Sequence, residues 1–550
     1  MFDAATNVQE EPESQLVEIE QGLVRGHRDG EIYTFLNIPY ATAPTGADRF
    51  KAPLPPPTWT SEFDAVNRGV FCPQPPPLEH YQEDCLVANI FVPNTNATNL
   101  PVMVVVHGGA FIQGAGDFWR YTELVRTEKI IVVTFNYRLG TIGFLCLGTK
   151  DIPGNAGMKD QVELLRWVNR NIASFGGNPD DVTISGCSAG GASVDLLTLS
   201  PMTTGLFKKV ISSSGASLGP QGAQMDPIEN AKVYARDLNF NNVDDIDALE
   251  EFYKTTPIEI FLQSAVSLDA AGLLPFTPCI EADNGSDKER FLPESPWSII
   301  KNRNYIPHPI LYGFTDLEGA LFSALFDIMS ATMNLDFSNY LPSDLQFESE
   351  QQKEEVANAV KQFYFGENPI DFDNLQNYIN FFSDTAFNYQ ILRTINHRRE
   401  SNNDPIYLYE YTFVDDNTPF VLNSTTRGAD HCAQELIVAD HDVTNVTPEH
   451  LMMRDLMREV YLSFVISGQP SASGGLTNWP PVSGKWSPYM ALNNESTLVP
   501  TAPITERAEM WDDIYSKHAG LPVPPNPNAA FSYVPSIFTL ICLFLTMVCN

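Results

Sequence analysis

The ten residues Thr183-Ile-Ser-Gly-Cys-Ser-Ala-Gly-Gly-Ala192 constrain this chain more than any other stretch, because Ser188 lies inside a G-x-S-x-G pattern. Asp181–Ser185 reads as a short strand and Ala192–Leu199 as the helix that follows it. A strand that turns at once into a helix bends so tightly that only small neighbours fit, here Gly186, Ala189, Gly190 and Gly191. The turning residue is driven into a strained backbone conformation, and its hydroxyl is left exposed at the strand end. The pattern alone is weak, since a glycine-rich turn containing a serine arises often by chance. Its surroundings carry the argument.

Composition narrows the partners. The 550 residues are 43% hydrophobic, enough for a large core, and carry a formal net charge of −35. So acidic a surface repels nucleic acid and anionic membranes, and neither is expected as a partner. The cysteines (72, 85, 146, 187, 279, 432, 542 and 549) are sparse, and Cys72 and Cys85 bracket a loop short enough to close a disulfide. Neither C-x-x-C nor H-E-x-x-H occurs, so no metal centre is expected. Sequons at Asn96, Asn284, Asn423, Asn445 and Asn494 favour export and glycosylation. The opening Met1-Phe-Asp-Ala and the acidic Glu10, Glu11 and Glu13 show neither the basic nor the apolar part of a secretory signal.

Along the chain, Leu16–Tyr40 alternates as antiparallel edge strands do, and Leu86–Val92 reads as a further strand. Pro101–Val106 and Ile130–Phe135 are continuous apolar runs, the pattern of parallel strands buried on both faces. In Met158–Phe175, Val162, Leu165, Val168 and Ile172 share one helical face. Phe207–Ser212, Pro309–Gly313 and Ile406–Phe413 read as strands, Leu456–Ile466 as an amphipathic helix, and 220–305 and 325–400 as helical insertions. Strands alternating with helices in this way predict an α/β fold with a mostly parallel central sheet flanked by helices.

A serine hydroxyl becomes a useful nucleophile only with a base to take its proton and donors to hold the developing oxyanion. His107-Gly108-Gly109, about eighty residues upstream of Ser188, ends a predicted strand. There the glycines let two backbone N–H groups face one point, and Ala189 adds a third, so Gly108, Gly109 and Ala189 form the candidate oxyanion hole. An acid is expected at a later strand end, where Leu311–Gly319 offers both Asp316 and Glu318. The base should follow the acid. His431, after the loop Arg427-Gly-Ala-Asp430, is best placed, with His441 the alternative. His397 lies among Arg393, Arg398 and Arg399 and is expected to be solvated.

These residues also carry a family resemblance. Glu83-Asp-Cys-Leu86, His107-Gly-Gly109, Asn136-Tyr-Arg-Leu-Gly140, Gly154–Gln161, Phe175-Gly-Gly-Asn-Pro179 and Gly186–Gly190 stand in the order found in type-B carboxylesterases. The chain resembles that carboxylesterase/cholinesterase family, its insect members in particular, over nearly its whole length. The resemblance implies an α/β-hydrolase domain over 16–520 that needs no cofactor and cleaves small-molecule carboxylic esters through an acyl-enzyme. It makes Ser188 the nucleophile, His431 the base and Glu318, rather than Asp316, the acid. It also implies a Cys72–Cys85 disulfide. Three departures stand out. Cys187 takes the place where many relatives carry glutamate and reads as buried and structural. The run His431-Cys-Ala-Gln-Glu-Leu436 is about one residue longer than the usual spacing. The Cys72–Cys85 loop holds no tryptophan, so no choline site is expected. The competing class, an inactive binding or adhesion ectodomain of the same fold, loses the serine, the histidine or the glycines. This chain keeps all of them.

Outside that domain, residues 1–15 form an acidic segment, 521–535 a proline-rich linker and 536–550 a hydrophobic tail. The linker is expected to run extended and leave the domain behind. Ser536–Val548 is shorter than the roughly 20 apolar residues of a spanning helix, and no Lys or Arg follows Lys517. With small residues at Asn528, Ala529 and Ala530, the tail reads as a signal for a glycosyl-phosphatidylinositol anchor on a protein routed through the secretory pathway. A retained hydrophobic tail on an unexported protein is the alternative.

Overall fold

The computed structural model describes residues 13–526, apart from 76–79, 220, 264–275, 284, 286–288, 402–403, 423, 441–445 and 474–475. One thirteen-stranded sheet runs through it. Its N-terminal part is antiparallel: β1 (Ser14–Ile19), β2 (Gly22–Asp29) and β3 (Ile32–Pro39), with the two-residue β4 (Phe63–Asp64) beside β2. The central strands are β5 (Val87–Pro93), β6 (Leu100–Val106), β7 (Ile131–Phe135), β8 (Gly177–Cys187) and β9 (Lys209–Ser213). The last four are β10 (Ile310–Thr315), β11 (Ile406–Tyr411), β12 (Tyr489–Leu492) and β13 (Thr497–Val499). They lie in the order β1-β2-β3-β5-β7-β6-β8-β9-β10-β11-β12-β13, and every pair from β7 to β12 is parallel.

Alternation along the buried strands builds a core on each face of the sheet. In β6, Val102, Val104 and Val106 join the larger cluster with Trp167 and Ile184, while Met103 and Val105 turn to the other cluster with Val132, Tyr461 and Phe464. The second face is closed by the helix Pro448–Ser467. It is longer than the sequence pattern suggests because the Thr447 hydroxyl caps it (3.0 Å from the His450 N–H) and Pro448 opens its first turn. On the first face, the helix Ala156–Asn171 stops short of the expected Phe175, and Ile172–Phe175 tightens to a 3-10 turn before Gly176 at φ 88°.

Parallel register brings the C-terminal ends of four strands together. Val106 pairs with Gly186, Gly186 with Ser212, and Ser213 with Gly313. The residues just beyond these ends are His107, Ser188, Ser214 and Asp316, which is where open α/β sheets place their sites. Between β10 and β11 the chain forms the insertion helices Phe326–Leu335, Glu350–Phe365, Leu375–Ser383 and Tyr389–Ser401.

The Cys72–Cys85 bridge is present, and two more pairs join Cys146 to Cys279 and Cys187 to Cys432. Cys187 is thus buried and structural, as expected, but through a covalent partner that the sequence does not reveal. His397 differs from expectation: it is half-buried on its helix rather than solvated. The start of the proline-rich linker stays on the body, with Pro525 buried against Gly148. Asn96 and Asn494 are exposed, whereas Asn284, Asn423, Asn445, His441, the cleavage-site residues 528–530 and the tail 536–550 lie outside the described residues. Among the described residues no helix is long and apolar enough to cross a membrane.

Candidate active site

Ser188 is the hinge between β8 and the helix Ala189–Leu197, with φ 60° and ψ −126°. A side-chain-bearing residue held there costs about 1–3 kcal/mol and persists only where its surroundings enforce it. The helix therefore starts at Ala189, three residues earlier than the sequence pattern suggests. Glycines provide the enforcement. A Cβ on Gly190 would come within 2.2 Å of the Val106 carbonyl oxygen, one on Gly191 within 2.5 Å of that of Ser213, and one on Gly215 within 2.2 Å of that of Ser188. The Ser188 N–H donates to the Ser213 carbonyl at 2.9 Å, tying the turn to β9. Ser188 itself remains partly exposed.

The His107-Gly108-Gly109 loop packs directly on this turn. A Cβ on Gly108 would meet the Cys187 carbonyl oxygen at 2.6 Å and the Ser188 Cβ at 3.2 Å. The backbone N–H groups of Gly108, Gly109 and Ala189 have no acceptor among the described residues. The chain then runs through three successive left-handed residues, Gly109 (φ 103°), Ala110 (58°) and Phe111 (61°). His107 serves as a strut beneath them. Its ring stacks on Tyr137 at 4.3 Å, its Nδ1 donates to the Gly108 carbonyl at 2.8 Å, and burial pulls its pKa down to about 4. It stays neutral at physiological pH.

Of the two carboxylates beyond β10, only Glu318 meets the histidine. Its Oε2 lies 2.5 Å from Nδ1 of His431, and its Oε1 accepts from the Ser214 hydroxyl at 2.5 Å and the Thr315 N–H at 2.8 Å. Asp316 Oδ1 instead accepts the backbone N–H of Ala429 at 2.8 Å. The Leu317 N–H donates to the Ala429 carbonyl, so the acid turn and the histidine loop are joined as one rung. The His431 side chain is 7% exposed, and its Nε2 is buried with no partner among the described residues. The ring of Phe387, in a π-helical turn Asp384–Asn388, covers it at a centroid distance of 4.4 Å.

Several supporting residues are not legible as motifs. Ser214 accepts from Gln434 Nε2 at 2.7 Å while it donates to Glu318. Behind it, Ser213 contacts the hydroxyls of Tyr409 and Tyr461, and Glu435 accepts from Tyr461 (2.8 Å) and Tyr121 (2.6 Å). Burial raises the Glu435 pKa, and the two phenol donors offset part of that cost. The one available signal for Gln434 and Glu435 was their place in the lengthened run after His431.

The carboxylesterase family model matches residues 13–511. A carboxylic ester hydrolase of Bombus ignitus is 33% identical over 525 residues, covering 90% of this chain and 93% of that one. Venom carboxylesterase-6 of Apis mellifera is 32% identical over 483 residues, covering 82% and 85%. The crystal structure of a juvenile hormone esterase from Manduca sexta, with OTFP covalently attached, superposes with a TM-score of 0.82 at 28% identity, covering 92% and 100%. The sheet order and flanking helices are those of the α/β-hydrolase fold.

Proposed function

Because the chain belongs to the carboxylesterase family and is a carboxylic ester hydrolase, we propose that Ser188, His431 and Glu318 are its catalytic triad. The reading rests chiefly on His431. Its Nδ1 is fixed by a buried carboxylate and its Nε2 is left without a protein partner.

In this reading Ser188 Oγ attacks the ester carbonyl carbon as His431 Nε2 takes the hydroxyl proton. The carbonyl oxygen becomes an oxyanion and accepts from the free N–H groups of Gly108, Gly109 and Ala189. Glu318 keeps the imidazole in the tautomer with hydrogen on Nδ1 and stabilises the imidazolium. Collapse breaks the bond to the leaving alkoxide, which takes the proton from Nε2 and departs as the alcohol. Water then gives a proton to Nε2 and attacks the acyl-enzyme. The carboxylic acid leaves, and Ser188 regains its proton. No step calls for a cofactor.

Substrates are small-molecule esters. The three disulfides and the exposed sequons Asn96 and Asn494 fit maturation in an oxidising, secretory compartment. Anchoring through the tail belongs to the same reading, and release of the enzyme from cell membranes by phosphatidylinositol-specific phospholipase C tests it. Residues 16–520 act as one catalytic domain. Limited proteolysis giving two separately folded halves split near residue 300 would count against that. The decisive experiment is p-nitrophenyl ester hydrolysis by Ser188→Ala and His431→Ala. Each should lose about three or more orders of magnitude in kcat, whereas His441→Ala should be mild. Near-normal turnover by Ser188→Ala would falsify the assignment.

A further inference from the structure

We propose that the Cys187–Cys432 disulfide is a positioning element for ester hydrolysis, holding the histidine loop at a set distance from the nucleophile turn. The proposal rests on the triad reading above. The two cysteines are 245 residues apart in sequence, yet their Cα atoms lie 6.2 Å apart. Cys187 immediately precedes Ser188 and Cys432 immediately follows His431. The bridge is therefore a covalent link between the two segments whose side chains must exchange a proton.

The two ends of the link differ in how firmly they are held. On the serine side, Cys187 pairs with Ser213 as the last residue of β8, and Ser188 is bonded to the same Ser213. This end is part of the sheet. On the histidine side, the rung between Leu317 and Ala429 holds the chain before His431, and the Gln434 side chain holds it after. Cys432 lies between those ties, in the left-handed region at φ 61°. A residue other than glycine adopts that conformation reluctantly, so the loop has other ways to sit. A sulfur bridge that admits Cα separations of only about 4.4–6.8 Å removes most of them.

Proton transfer makes that restraint matter for rate. Misplacing a catalytic group by about 1 Å can cost on the order of 100-fold. Glu318 controls the tilt of the imidazole through Nδ1, and the Phe387 ring limits its movement on one face. Neither sets the depth of the His431 backbone relative to Ser188, which the bridge does from one residue away on each side. Both cysteines are buried, Cys187 at 1% and Cys432 at 6% exposure. The other bridges adjoin none of the proposed catalytic residues. Cys146–Cys279 packs against Gly154, whose added Cβ would lie 2.6 Å from either sulfur.

The test uses the full-length oxidised enzyme and the double variant Cys187→Ala/Cys432→Ala, with Cys146→Ala/Cys279→Ala as the control. Kinetics on p-nitrophenyl butyrate, thermal melting and the rate of labelling by an organophosphate are measured on each. The active-site pair should lose about 10- to 100-fold in kcat with KM changed by less than about twofold, and labelling should slow in step. The control should melt at a lower temperature yet keep kcat within about twofold. Unchanged kcat in the active-site pair, or kcat losses that simply track melting temperature across both pairs, would overturn the proposal. If the active-site pair does not fold, graded reduction of the native enzyme replaces it, with thiol mapping by mass spectrometry. Activity should then fall with opening of Cys187–Cys432, and full activity with both thiols labelled would overturn the idea. The site of the organophosphate adduct keeps the two questions apart. An adduct away from Ser188 in the unaltered enzyme sinks the triad reading itself. An adduct on Ser188 with normal kcat in the variant sinks only the bridge.

Discussion

Asp316 accepts the backbone N–H of Ala429 at 2.8 Å, two residues before His431. Two residues along from Asp316, Glu318 takes the imidazole itself at 2.5 Å. Both carboxylates thus hold the same loop, one through its backbone and one through its imidazole. Glu318→Gln should cost about 10³–10⁴-fold in kcat, because an amide favours the wrong imidazole tautomer. Asp316→Asn keeps an oxygen acceptor for Ala429 and should stay within a few-fold of the parent. Equal losses from the two substitutions, read by steady-state kinetics, would remove the distinction.

Asp316 also marks a pH window. Burial lifts its pKa from 3.8 to about 7, with nearby Glu410 and Glu318 adding repulsion and the Ala429 N–H working the other way. Between those values the folded chain keeps a proton that the unfolded chain has released. The group's stabilisation is therefore complete below the unfolded value and is lost as pH rises through the window. Asparagine does not titrate. The melting temperature of Asp316→Asn relative to the parent should rise as pH goes from about 4 to about 7 and level off above. A difference independent of pH would place the titration elsewhere.

Much of this arrangement was legible because local rules and tertiary demands agree. Buried parallel strands such as Leu100–Val106 need apolar residues on both faces, so the run announces itself. Ser188 could be placed because Gly186, Gly190 and Gly191 around its turn have no room for a side chain. What stayed hidden depends on which distant segments meet. Cys187 and Cys432 each flank a site residue in the sequence, yet eight cysteines do not name their partners. Ser214, Gln434 and Phe387 belong to no motif, and only packing across the strand ends brings them to Glu318 and His431. The linker departed from expectation for a similar reason: Pro525 finds an apolar seat at Gly148, which composition cannot foretell.

The helix Ala189–Leu197 that follows Ser188 is also anchored, through its own Asp195. Asp195 and Arg398 form an ion pair at 2.6 Å, both fully buried, and Asp195 further accepts from the Tyr312 hydroxyl and the Ser217 N–H, each at 2.6 Å. Arg398→Met fills similar space but leaves a buried carboxylate without its counter-charge. The expected loss is about 3–5 kcal/mol of stability, read by urea unfolding, with kcat of the folded fraction little changed. A loss under about 1 kcal/mol, the range of exposed pairs, would show that the remaining hydrogen bonds suffice.

The contact between Gly108 and the Ser188 turn yields the sharpest prediction about the proposed oxyanion hole. Gly108 is needed for space rather than for backbone freedom, since it is not among the glycines with positive φ. A methyl group there would sit 2.6 Å from the Cys187 carbonyl oxygen and 3.2 Å from the Ser188 Cβ. The first contact is with backbone at the end of a central strand, which cannot easily yield. The loop must move instead, carrying the N–H groups of Gly108 and Gly109 away from the point that we propose they share with Ala189. Gly108→Ala should therefore lose about 10²–10³-fold in kcat, the loss typical of one missing oxyanion donor, with KM much less affected. A glycine that serves only folding would show the opposite pattern, a lower melting temperature with normal kcat in the surviving enzyme. Measuring both quantities on one preparation decides between them.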